Sequence, residues 1–303
     1  MSRVLVTGAS GYVGRQVVAA LRRRGHDVVA ASSRARDGAV AADLLAPGGP
    51  AALVAETGAE RLVHLAWYAE HGRFWTAPEN LDWVGATLAL LRAFREAGGR
   101  RAVVAGSCAE YAWDKEGPCA ENVTPLEPAT LYGAAKQAAH VAAEAYAAQE
   151  DLSLAWGRIF FSFGPGEAPG RLIPSVAGAL LRGEEAPVTG GEQVRDFLAV
   201  EELGDAFAAL LDSDVRGAVN VASGRGVPVR DLVAMVARAA GREELVRYGA
   251  LPSRPGDPAS IVADVGRLER EVGWRPRETL EAGIERTVRA LHDDARRGRP
   301  GSR

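Results

Sequence analysis

Three glycines spaced three apart, Gly8, Gly11 and Gly14 in the stretch TGASGYVG from Thr7 to Gly14, constrain this chain more than any other feature. Arg3 to Val6 ahead of them is a short aliphatic run that predicts a buried parallel strand. Val13, Val17, Val18 and Leu21 behind them recur at helical spacing. A strand, a glycine turn and a helix in that order form a dinucleotide cradle. Gly8 permits the tight turn, Gly11 lets backbone N–H groups approach a pyrophosphate at the helix N-terminus, and Gly14 lets helix and strand pack closely. A glycine-rich βα turn with no ligand is the plain alternative, and the placement after a strand and before a helix favours the cradle.

The following segments are expected to serve that ligand. Asp27 to Ala31 reads as the second strand, and Ser32, Ser33, Arg34, Ala35 and Arg36 come next, where the adenosine ribose is contacted. An NAD site usually carries an acid there, whereas hydroxyls and an arginine accommodate a 2'-phosphate, so NADP is expected in preference to NAD. A solvated basic turn would look the same. Asp43 and Leu44 fall where an adenine contact or a simple polar turn could lie. Arg61 to Ala66 is the third strand, and Glu79 to Ala97 carries Leu81, Val84, Leu88, Leu91 and Phe94 at helical spacing. Between them the aromatic loop from Trp67 to Trp75, with His71 inside it, leaves the C-terminal end of a strand, where open parallel sheets bind ligands. It reads as a substrate contact or as a hydrophobic plug over the sheet edge.

Ala102 to Ala105 predicts a further strand that delivers Ser107 and Cys108 to the same edge, and a proline-punctuated loop from Pro118 to Pro128 follows. Tyr132 and Lys136 then open an alanine-rich helix running to about Gln149. Residues four apart share a helical face, so phenol and ammonium are neighbours. Bringing a tyrosine from its usual ~10 to neutrality needs roughly 4 kcal/mol, and a cation at ~4 Å supplies about that much at an effective dielectric of 20. YxxxK also arises by chance with the lysine in water, and the glycine cradle and Ser107 are what give it weight here.

At 303 residues with net charge −3 and no basic patch, the chain suits a Rossmann-like α/β protein and not a nucleic-acid binder. The expected organisation is a doubly wound parallel-sheet domain over 1–165, a smaller α/β substrate lobe over 166–295 with some chain crossing back, and a flexible tail over 296–303. No run approaches the ~20 apolar residues of a membrane span, and the N-terminus enters a strand directly, so a cytoplasmic protein without membrane attachment is expected. Cys108 and Cys119 read as free thiols, and the five histidines lack metal-ligand spacing, so no metal is expected.

These residues resemble the extended short-chain dehydrogenase/reductase family, the NAD(P)-dependent nucleotide-sugar epimerases, dehydratases and ketoreductases. The resemblance spans nearly the whole chain: TGASGYVG, HLA at His64 to Ala66, Ser107 four residues before Tyr111, YGAAK at Tyr132 to Lys136, Arg158 with Gly164-Pro165-Gly166, VRDF around Arg195, RPGD from Arg254, and GWRP from Gly273. It implies that Tyr132 is the general acid/base, that Lys136 tunes it and holds the nicotinamide ribose, both thereby contacting the cofactor, and that Ser107 hydrogen-bonds the reacting sugar oxygen. Cofactor contacts are implied for Ser10, Tyr12, Val13, Leu65 and Ala66 beside the glycines. Trp67, His71, Cys108 and Phe161 are implied near the substrate, and Arg195 and Arg254 as diphosphate ligands, a role suited to guanidinium forks. The departures are Cys108-Ala109 where dehydratases carry acids, which argues against water loss, and Trp83 and Phe161 in place of common asparagines. The resulting expectation is an NADP-preferring 4-ketoreductase of a nucleoside diphosphate 4-keto-6-deoxyhexose, with a 4-epimerase as alternative and a non-catalytic NADP-binding regulator as the alternative of another class. The alanine-rich helix and the resemblance predict a homodimer.

Overall fold

The structure is a computed structural model that describes residues 2–35 and 38–298. In chain order the elements are β1 (Arg3–Thr7), α1 (Tyr12–Arg23), β2 (Asp27–Ser32), β3 (Val40–Ala41), α2 (Gly49–Thr57), β4 (Arg61–His64), α3 (Glu79–Glu96), β5 (Arg101–Ser107), α4 (Leu131–Gln149), β6 (Ser153–Ile159) and β7 (Phe161–Phe163). There follow α5 (Leu172–Leu181), β8 (Ala186–Pro187), β9 (Val194–Ala199), α6 (Val200–Asp212), β10 (Gly217–Val221), β11 (Gly226–Pro228), α7 (Val229–Ala240), β12 (Val246–Arg247), β13 (Ser260–Ile261), α8 (Gly266–Arg270) and α9 (Leu280–Arg296).

Seven strands form one parallel sheet in the order β10-β6-β5-β4-β1-β2-β3. Alternation along each strand divides the core between two faces. Val4, Val6, Val63 and Val103 pack with Val17 and Leu21 of α1 and Leu203 and Phe207 of α6. Leu5, Leu62, Ala102 and Val104 pack with Leu90 and Phe94 of α3 and Ala139 and Ala143 of α4. Both faces are covered, as a parallel sheet requires. The strand order reverses between β1 and β4, and the crevice at that switch point is where doubly wound sheets bind ligands.

After β6 the chain leaves the large sheet, starts a smaller α/β region with β7, and returns as α6 and β10 to complete the large sheet. The smaller region centres on β9, which pairs with β7, β11 and β13, and its core lies among α5, α7 and α9. Within the expected strands, β4 stops at His64 because Leu65 and Ala66 turn against Gly8. On α3, Leu81 faces solvent, and the buried side begins instead at Asn80. Arg296, expected in the tail, ends α9, whereas residues 299–303 and Arg36 lie outside the described residues. Among the described residues no helix is long and apolar enough to cross a membrane.

The contact of α1 with α6 depends on Gly204, where an added Cβ would lie 2.6 Å from the carbonyl carbon of Gln16. Gly204→Val should therefore lower stability by about 1–3 kcal/mol through overpacking. Gly85→Ala on the open side of α3, where an added Cβ meets nothing within 4 Å, should raise it by about 0.5–1 kcal/mol. Urea unfolding midpoints of the two variants test the pair of opposite signs.

Candidate active site

The loop between β1 and α1 has no room for side chains at its glycines. Gly8 has φ 68°, and a Cβ there would lie 2.8 Å from the Ala66 nitrogen, while one at Gly14 would lie 2.1 Å from the Gly8 carbonyl oxygen. At Gly11 it would be 3.1 Å from that same oxygen. Bare backbone at the N-terminus of α1 fits a dinucleotide pyrophosphate, because the first N–H groups of a helix lack intrahelical partners. The loop opens into a cleft of about 600 Å³ at the C-terminal edge of the large sheet.

That cleft gathers most of the residues singled out in the sequence. Gly8, Ser10, Gly11, Tyr12, Val13, Gly14, Ser32, Ser33, Asp43, Leu44, Leu65 and Ala66 line it together with Trp67, His71, Ser107, Cys108, Tyr132, Lys136 and Phe161. Arg34, Arg195 and Arg254 do not. Arg34 is exposed and its carbonyl accepts the Ser32 hydroxyl. Arg195 is 5% exposed and donates to the carbonyls of Val194 and Pro258 and, at 2.6 Å, to Asp257 Oδ1. Arg254 is exposed in the loop that carries Asp257.

Ser107 ends β5 and starts a short turn of 3-10 helix over Cys108–Glu110. Its hydroxyl accepts the Ala109 N–H at 3.1 Å, and its own N–H donates to Glu110 Oε1 at 2.8 Å, a reciprocal capping box. The start of α4 packs directly on this turn: a Cβ on Gly133 would lie 2.1 Å from the Ala109 carbonyl oxygen. Thr130 caps α4 by accepting the Gly133 N–H, and the Tyr132 N–H donates to the Trp75 carbonyl. The Tyr132 ring meets Phe74 and Trp75 edge-on, with centroids 5.0 and 5.8 Å away.

Burial holds the Tyr132 phenol above its usual value, and the Ser107 hydroxyl opposes that shift. From the sequence, Lys136 is expected to pull the phenol toward neutrality, but the ammonium is directed elsewhere. Lys136 Nζ donates to the Ala105 carbonyl at 2.8 Å and sits 3.7 Å from the centroid of the Trp67 ring. Burial draws Lys136 down to about 7, against the field of Glu110, which favours its charge. The Cys108 thiol is likewise raised by burial, and Ala109 is buried.

Several groups that support the site carry no assigned role in the sequence. Glu110 has no exposed surface and accepts from Trp156 Nε1 at 2.9 Å and Arg158 Nε at 2.8 Å. The Ser107-x-x-Glu110 spacing is itself a capping-box signature and could have revealed it. His64 bridges Thr7 Oγ1 at 2.6 Å and Thr87 Oγ1 at 3.0 Å. Asn80 has no exposed surface and braces the aromatic loop. Glu167 and Arg171 line the cleft as an ion pair at 3.1 Å, and burial pushes the Glu167 carboxyl up to about 7.

The description "NAD dependent epimerase/dehydratase family" belongs to a family model that matches residues 4–222. The chain is similar to the UDP-glucose 4-epimerase of Corynebacterium glutamicum, 30% identical over 91% of this chain and 92% of that one. Among solved structures it is similar to MoeE5 in complex with UDP-glucuronic acid and NAD, with TM-score 0.83 and 33% identity over 98% of this chain and 99% of that one. It is also similar to the UDP-glucose 4-epimerase of Thermus thermophilus in complex with NAD, with TM-score 0.83 and 28% identity over 95% and 98% of the two chains.

The buried imidazole of His64 generates a pH prediction. Burial, aided by Lys136, lowers it from 6.5 to about 3, so below pH 6.5 the unfolded chain binds a proton that the fold refuses. Stability should fall as pH drops through that window, by about 1.4 kcal/mol per pH unit for this one group. His64→Gln should flatten the slope by that amount in urea unfolding followed from about pH 6 to about pH 4, inside that window.

Proposed function

Because the chain belongs to the NAD dependent epimerase/dehydratase family, we propose that it is a 4-epimerase of nucleoside diphosphate sugars that works with a retained nicotinamide dinucleotide. One observation carries this reading beyond the family. Ser107, Tyr132 and Lys136 share a cleft with the glycine cradle, while Cys108 and Ala109 offer no acid for eliminating water. Such a site has what hydride transfer and one proton require.

The cofactor supplies the hydride acceptor and donor. The chain's own residues handle the proton. Tyr132 as phenolate takes the proton of the sugar 4-hydroxyl when hydride leaves C4, and as phenol returns it when hydride comes back to the other face. Ser107 Oγ stabilises the developing oxyanion by hydrogen bonding. Arg195 and Arg254 are proposed to hold the diphosphate, with Asp257 as the carboxylate that occupies the Arg195 fork in this structure. NAD is supported over NADP, since Arg34 stands outside the cleft and the Ser32 hydroxyl is turned to its carbonyl. The outward-facing Leu81 and Val141, 60% and 57% exposed on α3 and α4, support pairing of two copies through these helices, and the buried free thiols suit a cytoplasmic setting.

A second reading, the 4-ketoreductase, is favoured by the crowding of the cleft. Trp67, Tyr68, Trp83 and Phe161 all line it, and a keto-sugar must turn over there during epimerisation. Product chromatography on UDP-glucose, UDP-galactose and their uronic acids decides between the two. The epimerase interconverts a pair without net change in reduced nicotinamide and releases NAD on denaturation. Net consumption of NADPH with a 4-keto-6-deoxy substrate, and no interconversion, overturns it. Tyr132→Phe should lower turnover by at least ~10²-fold, as expected for a general acid/base, with cofactor affinity within about twofold of wild type. Kinetics and cofactor titration check both halves of that statement.

A further inference from the structure

Beyond the acid/base groups, the cleft contains a contact between a charge and a ring that no part of the reaction described above uses. Trp67 follows the end of β4 and turns its indole face to Lys136, with Nζ 3.7 Å from the ring centroid. The ring is fixed from behind. Its Nε1–H donates to Asn80 Oδ1 at 2.8 Å, and the Asn80 amide donates to the carbonyls of Phe74 at 2.7 Å and Ala77 at 2.8 Å. Trp83 stacks on it with centroids 6.3 Å apart.

We propose that Trp67 is a positioning residue for Lys136, its braced indole face serving with the Ala105 carbonyl as the seat that keeps the buried ammonium in place and charged. This rests on the reading of Lys136 as part of the hydride-transfer site. An ammonium has three donors, and at 4% exposure it has lost nearly all its water. One donor is met by Ala105. A tryptophan face is the strongest π partner for a cation, and its attraction grows with desolvation. The other titratable groups facing Lys136 act differently: Glu110 beyond β5 favours its charge, His64 on β4 is held neutral by burial, and Tyr132 one turn earlier on α4 is a phenol. Burial draws the ammonium toward neutral pH, so the ring acts where a modest change alters the charge state.

The composition makes the test clean. Of 36 basic residues only Lys115 and Lys136 are lysines, so protein labelled with ¹³C at lysine Cε gives two signals, and Lys115→Arg assigns them. The Lys136 signal of Trp67→Leu should titrate about one pH unit below wild type, and that of Trp67→Phe within about half a unit of it. Asn80→Leu, which frees the indole while leaving it in the chain, should move the midpoint down by a smaller amount and serves where Trp67→Leu does not fold. A midpoint in the folded leucine variants within about 0.2 unit of wild type, or above it, overturns the proposal. A raised KM with an unmoved midpoint likewise overturns it and makes Trp67 a substrate contact. The alkaline limb of kcat/KM should shift down with the titration. A shifted titration with an unshifted limb upholds the seat and removes Lys136 from the reaction, so the two readings fail separately.

Discussion

The ion pair between Glu110 and Arg158, two charges with no exposed surface, is the interaction on which the rest of the site depends. Burying a carboxylate and a guanidinium together is unfavourable unless their remaining donors and acceptors are met. Here they are met by groups from across the fold. Glu110 also accepts the Ser107 N–H and the Trp156 indole, and Arg158 donates to the Tyr111 hydroxyl and contacts His140 Nδ1. Tyr111 donates to Asn220 Oδ1, and the Asn220 amide donates to the carbonyls of Cys119 and Asp264. One network thus ties the end of β5, β6, β10 and α4. It needs Gly106, where a Cβ would lie 2.2 Å from the Trp156 indole nitrogen.

From that network the geometry of the acid/base groups follows. Glu110 fixes the backbone of Ser107, the capped turn fixes Ala109, and α4 rests on the Ala109 carbonyl through Gly133. Tyr132 immediately precedes that contact. The relation of Ser107 to Tyr132 is therefore set by backbone packing against a buried charge pair, and the Ser107 hydroxyl acts on the phenol as well.

How much of this was legible in the sequence depended on the range of the interactions. The β1, α1, β2 and α4 segments were readable because glycine spacing and apolar period are local. In and beside the smaller region β8, β12 and β13 were not, since they are two residues each and too short to show alternation. Ser107, Tyr132 and Lys136 carry their chemistry in their spacing. Asn80 and His64 acquire theirs from partners on other elements, and a side-chain type alone cannot announce such a partner. Glu110 was the exception, since its capping box is local although Arg158 is 48 residues away. For Arg195 the chemistry was legible and the partner was not: a guanidinium fork suits Asp257 and a diphosphate equally.

The first turn of α4 finally shows why a tyrosine and a lysine, and not a tyrosine and an arginine, share this helix. Burial acts on both in the direction of neutrality, raising the phenol and lowering the ammonium to about 7. Lys136 Nζ is engaged by the Ala105 carbonyl and the Trp67 ring, so the two shifts arise separately. An anion that forms within reach of Nζ, such as a bound sugar oxygen, raises the proton affinity of Lys136, and quenching that anion lowers it again. Arginine, which stays charged under all these conditions, could not follow the proton in this way. In a chain whose other basic residues are arginines save Lys115, the lysine stands where burial makes its protonation respond to the charge beside it.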